Sequence, residues 1–522
     1  MSPNLIYFIL YTKIRCISIQ NVLKCYGVKN DCETKGEFDI NIKPVLAVDI
    51  GASGGRAILC SIKDNKFILD DIHRFTNEPV LANGLLYWNF PSLFEDIKLG
   101  IRKAAEIVDF ESLGIDTWGV DFAMVSHSGE IIEGPVSYRD GRTGGVPDEL
   151  HKTVGSAEFY IRTGNQQMAI NTVYQLAALR KVRPDLFALL DYNVLMMPDL
   201  FNYALTGKAA AELSIASTTQ LLNPQLRDWD YELMDLLGYP RAWFPPIVNP
   251  GSVLGGLRPE LCSEISVSRD IKVINTCGHD TACAAAAAPF EERSLFLSSG
   301  TWMLIGAMLD EPVLTAESAA AELSNEVGFG GKIRYLKNIT GTWLLQQSAE
   351  ELRLSFQEME KLAKEATTCL NYIDPDAREF QSPGEMLAKI GAAIGNNELK
   401  TVLRCIYDSL AMKVRYSAAQ IEKNTGNVFI NINMVGGGTQ SALLCQTIAD
   451  ITQRTVYAGP VEATAMGNAI VQFIANGYIS SIAEAREMVR NSVKITVYKP
   501  AISASAADTA YISFLKSTNL GR

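Results

Sequence analysis

The chain has 522 residues, 48% of them hydrophobic and 20% charged, with 47 Lys and Arg against 58 Asp and Glu, a formal net charge of −11. That length suggests two to four domains, and the composition is that of soluble globular protein, which excludes collagen-like, disordered and disulfide-stapled classes. An acidic balance without a basic block argues against nucleic-acid binding, whereas phosphate-bearing substrates stay open, because backbone N–H groups hold phosphate without net positive charge.

Residues 1–43 precede the first regular pattern. Their longest apolar run, Leu5 to Tyr11, is far shorter than the ~20 residues of a spanning helix. Lys13 and Arg15 follow that run rather than precede it, unlike a signal peptide. A poorly packed extension is expected there. The ten cysteines (Cys16, Cys25, Cys32, Cys60, Cys262, Cys277, Cys283, Cys369, Cys405, Cys445) contain no C-x-x-C pair, and the four histidines (His73, His127, His151, His279) show no zinc-ligand spacing. Reduced thiols in a cytoplasmic protein are expected.

From Pro44 the pattern turns regular. Val45–Ile50 reads as a buried strand, the turn GASGG follows, and Arg56–Ile62 and Lys66–Ile72 continue as strands turning at Asp64-Asn65. A helix is expected from Ser92, where Ser92 and Glu95 fit a capping box, with Phe94, Ile97, Ile101 and Ala105 on one apolar stripe. Leu113–Asp116 is the next strand, and Phe122–Ser126 pairs with Ile131–Ile132 across Ser128-Gly129. A glycine-rich turn leading into a strand rather than a helix argues against a dinucleotide-binding fold. Near Ser294 the pattern repeats: strand Leu295–Ser299, turn Gly300-Thr301, strand Trp302–Met308. A helix over Val402–Ile421, a strand over Val428–Val435 and helices at about 440–452 and 463–476 follow. Two similar mixed-sheet units suggest a duplicated, bilobal α/β architecture around a cleft, with boundaries at 44–289 and 290–505 and a tail over 506–522.

Several motifs carry chemistry. Asp49 ends a buried strand before Ala52-Ser53-Gly54-Gly55-Arg56, where bare backbone can approach a polyphosphate. Asp49 can hold Mg²⁺ through water. Ser298-Ser299-Gly300-Thr301 is a second small-residue turn at the matching place in the second unit. Gly436-Gly437-Gly438 ends a strand where open backbone can admit an adenine or ribose face. His279-Asp280-Thr281 follows a β-like segment, Lys272–Asn275, and opens an Ala-rich helix. Asp280 there is either a helix cap or a general base in phosphoryl transfer. Trp118 and Gly119, just past a strand end, suit a sugar ring, or Trp118 is core.

These pieces resemble the FGGY carbohydrate kinases: VDIGASGGR (48–56), IHRF (72–75), GIDTWGVDF (114–122), YRDGRT (138–143), LMMPDLF (195–201), LTGK (205–208), STTQL (217–221), GHDTA (278–282), LSSGTW (297–302), LKNITGTWLLQ (336–346), VGGGTQ (435–440) and AGPVEATAMGN (458–468), in order from about 45 to 500. The resemblance implies an actin-like ATPase fold, two ribonuclease-H-like domains flanking a catalytic cleft. It implies ATP and Mg²⁺ as cofactors and phosphorylation of the 1-hydroxyl of L-rhamnulose, with another ketose (L-fuculose or a pentulose) or a non-metabolic actin-like ATPase as the rival readings. Carried over by position, Asp280 is the proton acceptor. Ala52, Ser53, Gly54, Gly55, Arg56, Thr301, Gln346 and Gly437 contact the nucleotide, and Gly119, His279, Asp280, Thr281 and Asn338 the sugar. The family's two serines in the first turn are Ser53-Gly54 here, which keeps the turn small. Residues 1–43 have no counterpart. A monomer or homodimer without membrane or nucleic-acid partners is implied.

Overall fold

The computed structural model describes residues 42–268, 270–366 and 371–520. The expectation for 1–43 lies outside them except for its last two residues. The near-continuous apolar run VLAVDI becomes strand β1 (Val45–Gly51), buried on both faces. It pairs antiparallel with β2 (Gly54–Lys63), and β2 with β3 (Lys66–Thr76). Asp64 and Asn65 between them both take positive φ, 50° and 56°, as a two-residue hairpin turn requires. Helix α1 (Phe90–Ile107) begins before Ser92. Asn89 is its N-cap, its side chain accepting from the Ser92 N–H at 3.2 Å. An Asn cap followed by a proline in the first turn outcompetes the expected Ser92 box. The buried stripe is accordingly Leu93, Ile97, Ile101 and Ala104, with Ala105 exposed.

Strand β4 (Ser112–Thr117) runs parallel to β1 and sets Asp49 beside Asp116. After a long insertion come β5 (Ser252–Gly256) and β6 (Lys272–Asn275), giving the order β5-β6-β4-β1-β2-β3. Helix α2 (Asp280–Ala287) leaves β6 toward the cleft. The second sheet repeats this plan. Strands β7 (Ser294–Ser299) and β8 (Trp302–Leu309) form the hairpin, and β9 (Ser324–Val327) and β10 (Ile333–Thr340) extend it. The long helix α3 (Leu399–Thr425) then leads to β11 (Asn431–Val435), helix α4 (Ala442–Thr452), β12 (Thr455–Ala458), helix α5 (Ala463–Ala475) and β13 (Thr496–Tyr498), in the order β9-β10-β8-β7-β11-β12-β13. In both sheets the first strand is flanked on one side by antiparallel pairings, two in the first sheet and three in the second, and on the other by two parallel ones followed by an antiparallel edge. The strand expected from Val428 starts at Asn431, where the ladder with β7 begins, and Val428 and Ile430 before it stand half-exposed.

The core does not follow the chain boundary near residue 289. Leu176, Trp229 and Tyr239, all from the insertion between β4 and β5, share one apolar cluster with Leu295, Ile305, Tyr335 and Leu410 of the second lobe. Helices α2 and α5, equivalent in the two repeats, approach so closely that a Cβ on Gly467 would lie 1.8 Å from the Cys283 carbonyl oxygen. That approach accounts for the CAAAAA run in α2. The segment expected as a tail is helical over Ala504–Thr518, with Phe514 fully buried. Among the described cysteines, Cys60, Cys277, Cys283 and Cys445 are buried free thiols.

Candidate active site

A cavity of about 280 Å³ opens where the β1–β2 turn, the end of β4, the start of α2 and the β7–β8 turn meet. Ala52, Ser53, Trp118, Gly119, His279, Asp280, Thr281, Thr301 and Asn338 all line it. Gly54, Gly55, Arg56, Gln346, Gly437 and Asp49 do not.

Asp280 is the first residue of α2. His279 occupies the cap position, and no side-chain cap bond forms there, so the capping reading of Asp280 is not what the structure adopts. Its Oδ1 accepts from the Thr281 N–H and hydroxyl, and among the described residues no donor reaches Oδ2. The turn before it is tightly fixed. The Thr117 N–H donates to the Gly278 carbonyl at 2.9 Å, and the Gly278 N–H donates to Glu212 Oε2 at 2.7 Å. A Cβ at Gly278 would sit 2.9 Å from that same Oε2 and from Pro198 Cγ, so glycine is required. Glu212 also accepts from the Ser214 and Ile215 N–H groups. Burial nonetheless pushes its carboxyl above the usual range, against those donors.

In the first turn Gly51, Ala52 and Ser53 line the cavity. Gly54 and Gly55 are small for another reason: added Cβ atoms would meet the Phe75 carbonyl oxygen at 2.8 Å and the Phe75 ring at 2.3 Å. Their small size therefore makes room for β3. Asn77, buried and not foreseen, braces the turn by donating to Gly51 O at 3.0 Å and, through its backbone, to Ser53 O at 3.1 Å. Arg56 turns away from the cavity, donating to Asp49 Oδ2 at 2.9 Å and to Glu462 of the second lobe.

Asp49 and Asp116 lie side by side in register on β1 and β4. Burial raises the Asp49 carboxyl above the ordinary range, Arg56 opposes this, and the charge of Asp280 adds to it. Asp116 is raised further, first by burial and then by Asp49. Its Oδ1 is buried without a hydrogen-bond partner among the described residues. Two adjacent hard carboxylates behind the first turn, one with an orphaned oxygen, fit Mg²⁺, which takes few carboxylates and keeps several waters. Among the described residues no three His, Cys, Asp or Glu side chains converge to ligate one ion directly, so the fit is through water.

Trp118 is largely core: its ring lies 4.5 Å from Trp88, and its Nε1 donates to Asp121 Oδ2 at 3.0 Å. Asp121 also accepts from Trp88 Nε1 and Gln175 Nε2. Burial still pushes its carboxyl upward. Val120 takes φ +68°, a conformation costing a β-branched residue on the order of 1–3 kcal/mol. Thr218 Oγ1, accepting from its N–H, and Thr172 Oγ1, donating to its carbonyl, hold it there. Asn338, on β10, donates to Gln166 Oε1. Gln346 reaches Thr301 Oγ1 at 3.1 Å and so supports the second turn from behind. Gly437 has nothing within 4 Å of an added Cβ, leaving its backbone open.

Residues 44–287 match the FGGY family of carbohydrate kinases, N-terminal domain, and residues 295–476 its C-terminal domain. The chain belongs to the FGGY family. A rhamnulokinase from Oceanobacillus iheyensis is 37% identical over 463 residues, spanning 87% of this chain and 97% of its own. One from Halalkalibacterium halodurans is 37% identical over 462 residues, spanning 87% and 98%. A ligand-bound xylulose kinase from Lactobacillus acidophilus superposes with TM-score 0.78 at 15% identity, covering 92% of this chain and 98% of that one. This FGGY kinase therefore has the actin-like ATPase fold and is an ATP-dependent sugar kinase. No helix among the described residues is long and apolar enough to cross a membrane.

Sequence motifs did not mark Glu212, Asn77, Gln166, Glu326 or Arg334. The last two carried one signal: opposite charges at equal distances on either side of Gly330.

Proposed function

We propose that this FGGY kinase transfers the γ-phosphoryl group of ATP to the 1-hydroxyl of L-rhamnulose, with Asp280 as proton acceptor. The observation that carries the reading is the position of Asp280 at the start of α2, one carboxylate oxygen uncommitted, in a cavity walled by both small-residue turns. The curated relatives, both rhamnulokinases, point to the sugar. The wall also suits it: Met168, Ile170 and Leu304 give apolar surface for the methyl end of a 6-deoxy sugar, and Asn165, Gln166, Asn171 and Asn338 give donors and acceptors for its hydroxyls.

In this reading O1 of the ketose lies beside Asp280 and loses its proton to that carboxylate as it attacks the γ-phosphorus. The bond from γ-phosphorus to the bridging oxygen breaks, and ADP leaves with that oxygen. Ala52, Ser53 and Thr301 offer backbone N–H groups and small hydroxyls to the phosphates. Gly119, His279, Thr281 and Asn338 orient the sugar, and the open backbone at Gly437 takes the nucleoside. Asp49 would hold Mg²⁺ through water, and the bound ion would supply neutralising charge for the phosphate oxygens. When the lobes close over the sugar, bulk water is excluded and transfer to the sugar outruns hydrolysis. The enzyme acts in the cytoplasm.

The test is a ketose panel with coupled ADP detection. L-Rhamnulose should give the highest kcat/KM, above L-fuculose and pentuloses, and ATP turnover without sugar should be nearly silent. A higher kcat/KM for another ketose would reassign the substrate. Sugar-independent hydrolysis at the same rate would remove the kinase reading.

A further inference from the structure

His279 lies between two groups with different demands. On the cavity side its Nε2 is 3.4 Å from Asp280 Oδ1. On the other side its Nδ1 meets the second lobe, where Glu326 of β9 and Arg334 of β10 are direct cross-strand partners. Arg334 is fully buried and its Nη2 lies 3.0 Å from Glu326 Oε2 and 3.1 Å from His279 Nδ1. Glu326 Oε2 is 3.2 Å from the same Nδ1. The guanidinium nitrogens Nε and Nη1 have no hydrogen-bond partner among the described residues, so the polar contacts of this buried cation concentrate on Glu326, His279 and the Val327 carbonyl.

A guanidinium can only donate. If Nη2 donates to Nδ1, then Nδ1 carries a lone pair, and the single proton of the neutral ring sits on Nε2. Glu326 Oε2 makes no hydrogen bond among the described residues despite lying near Nδ1, so its link is charge pairing with Arg334 and Nδ1 is left to the guanidinium. Burial raises the Glu326 carboxyl, but the charge of Arg334 leads the effects that reverse this and hold it below the usual range.

We propose that Arg334, with Glu326 as its counter-ion, is a positioning residue that fixes His279 as the Nε2–H tautomer and aims that N–H at the Asp280 carboxylate and the bound sugar. The orienting pair belongs to the second lobe and its target to the first, so the base is correctly flanked only when the lobes are apposed. The inference rests on Asp280 acting as proton acceptor, but the tautomer can be read without substrate and stands or falls separately.

The test uses the full chain labelled with ¹⁵N-histidine. Only four histidines are present, and a His279→Gln spectrum identifies the His279 signals. The wild-type spectrum should show His279 protonated at Nε2 with Nδ1 unprotonated; the reverse tautomer overturns the proposal. Because removing one member of a buried ion pair strands the other, the variant is the double E326Q/R334Q, which is neutral throughout. It should mix the two tautomers and lower kcat about 10–100-fold, with the ATP KM unchanged. Arg334→Lys, which keeps a cationic donor, should hold the Nε2–H form and recover most of the rate. A lowered kcat in the double variant with the His279 tautomer unchanged would mean the pair is merely structural. If Asp280→Asn kept near-native turnover while the tautomer was as stated, the base assignment would fail and the tautomer assignment would not.

Discussion

The starts of α2 and α5 occupy the same place in two copies of one fold and do opposite work. At α2 the cap is His279 and the first helical residue is Asp280, which forms no ion pair with Lys or Arg among the described residues and faces the cavity. At α5 the cap residue is Glu462, whose carboxylate is neutralised across the lobes by Arg56, itself bound to Asp49 at 2.9 Å. Duplication therefore set two helix N-termini against the same inter-lobe space. Only the carboxylate without a cation remains free to take a proton. The other ties the lobes together.

The widest gap between the two copies should appear in kcat. Asp280→Asn should lower it by about 10²–10⁴-fold with ATP binding retained, measured by coupled ADP release and by nucleotide titration. Glu462→Gln, at the matching place, should change kcat less than about tenfold and act mainly on the ATP KM, because it frees Arg56 and Asp49 rather than removing a proton acceptor. Equal losses in kcat from the two variants would break the contrast.

A second pair separates packing from ligand access. Gly467→Ala in α5 must displace the Cys283 backbone of α2, and should cost about 1–3 kcal/mol of stability, read as a drop in melting temperature. Gly437→Ala, also in the second lobe, meets nothing within 4 Å. It should leave the melting temperature unchanged and raise only the ATP KM, as expected where a nucleoside lies on bare backbone.

Much of this was legible in the sequence, because the strands of both repeats are short apolar runs punctuated by small-residue turns. The two hairpins, their matching positions and the Asp280 helix start all follow from that pattern. What was not legible depends on distant contacts. Gly54 and Gly55 read as a phosphate cradle, yet Phe75, 20 residues on, requires their size. Arg56 read as a nucleotide contact, yet Glu462, 406 residues away, claims it. Glu212 and Glu326 lie inside segments that carry no motif, and only the folded chain brings them to the Gly278–His279 turn. Local pattern fixes which elements form; it does not say which charged side chain a turn will lean on.

That support differs between the copies in a way pH should expose. The α5 start rests on a half-exposed ion pair, whereas the α2 turn rests on buried carboxylates. Glu212 holds Gly278, and Asp199 lies behind it, its Oδ1 accepting from the Glu212 N–H at 3.1 Å and its Oδ2 without a partner. Burial, and then the charge of Glu212, raise the Asp199 carboxyl well above its ordinary value. A carboxyl that binds its proton more tightly when folded contributes stability that is full below the unfolded pKa of about 3.9 and lost as pH rises through the raised value. Asp199→Asn keeps an acceptor for the Glu212 N–H and removes the ionisation. Its melting temperature should approach the wild-type value as pH falls toward about 4 and exceed it by a few degrees at pH 8–9, the smallest effect of the set. If the variant and the wild type instead fall in parallel across that range, the pH sensitivity of the first lobe resides elsewhere, and the buried-carboxylate support of the α2 turn is as insensitive to pH as the ion pair at α5.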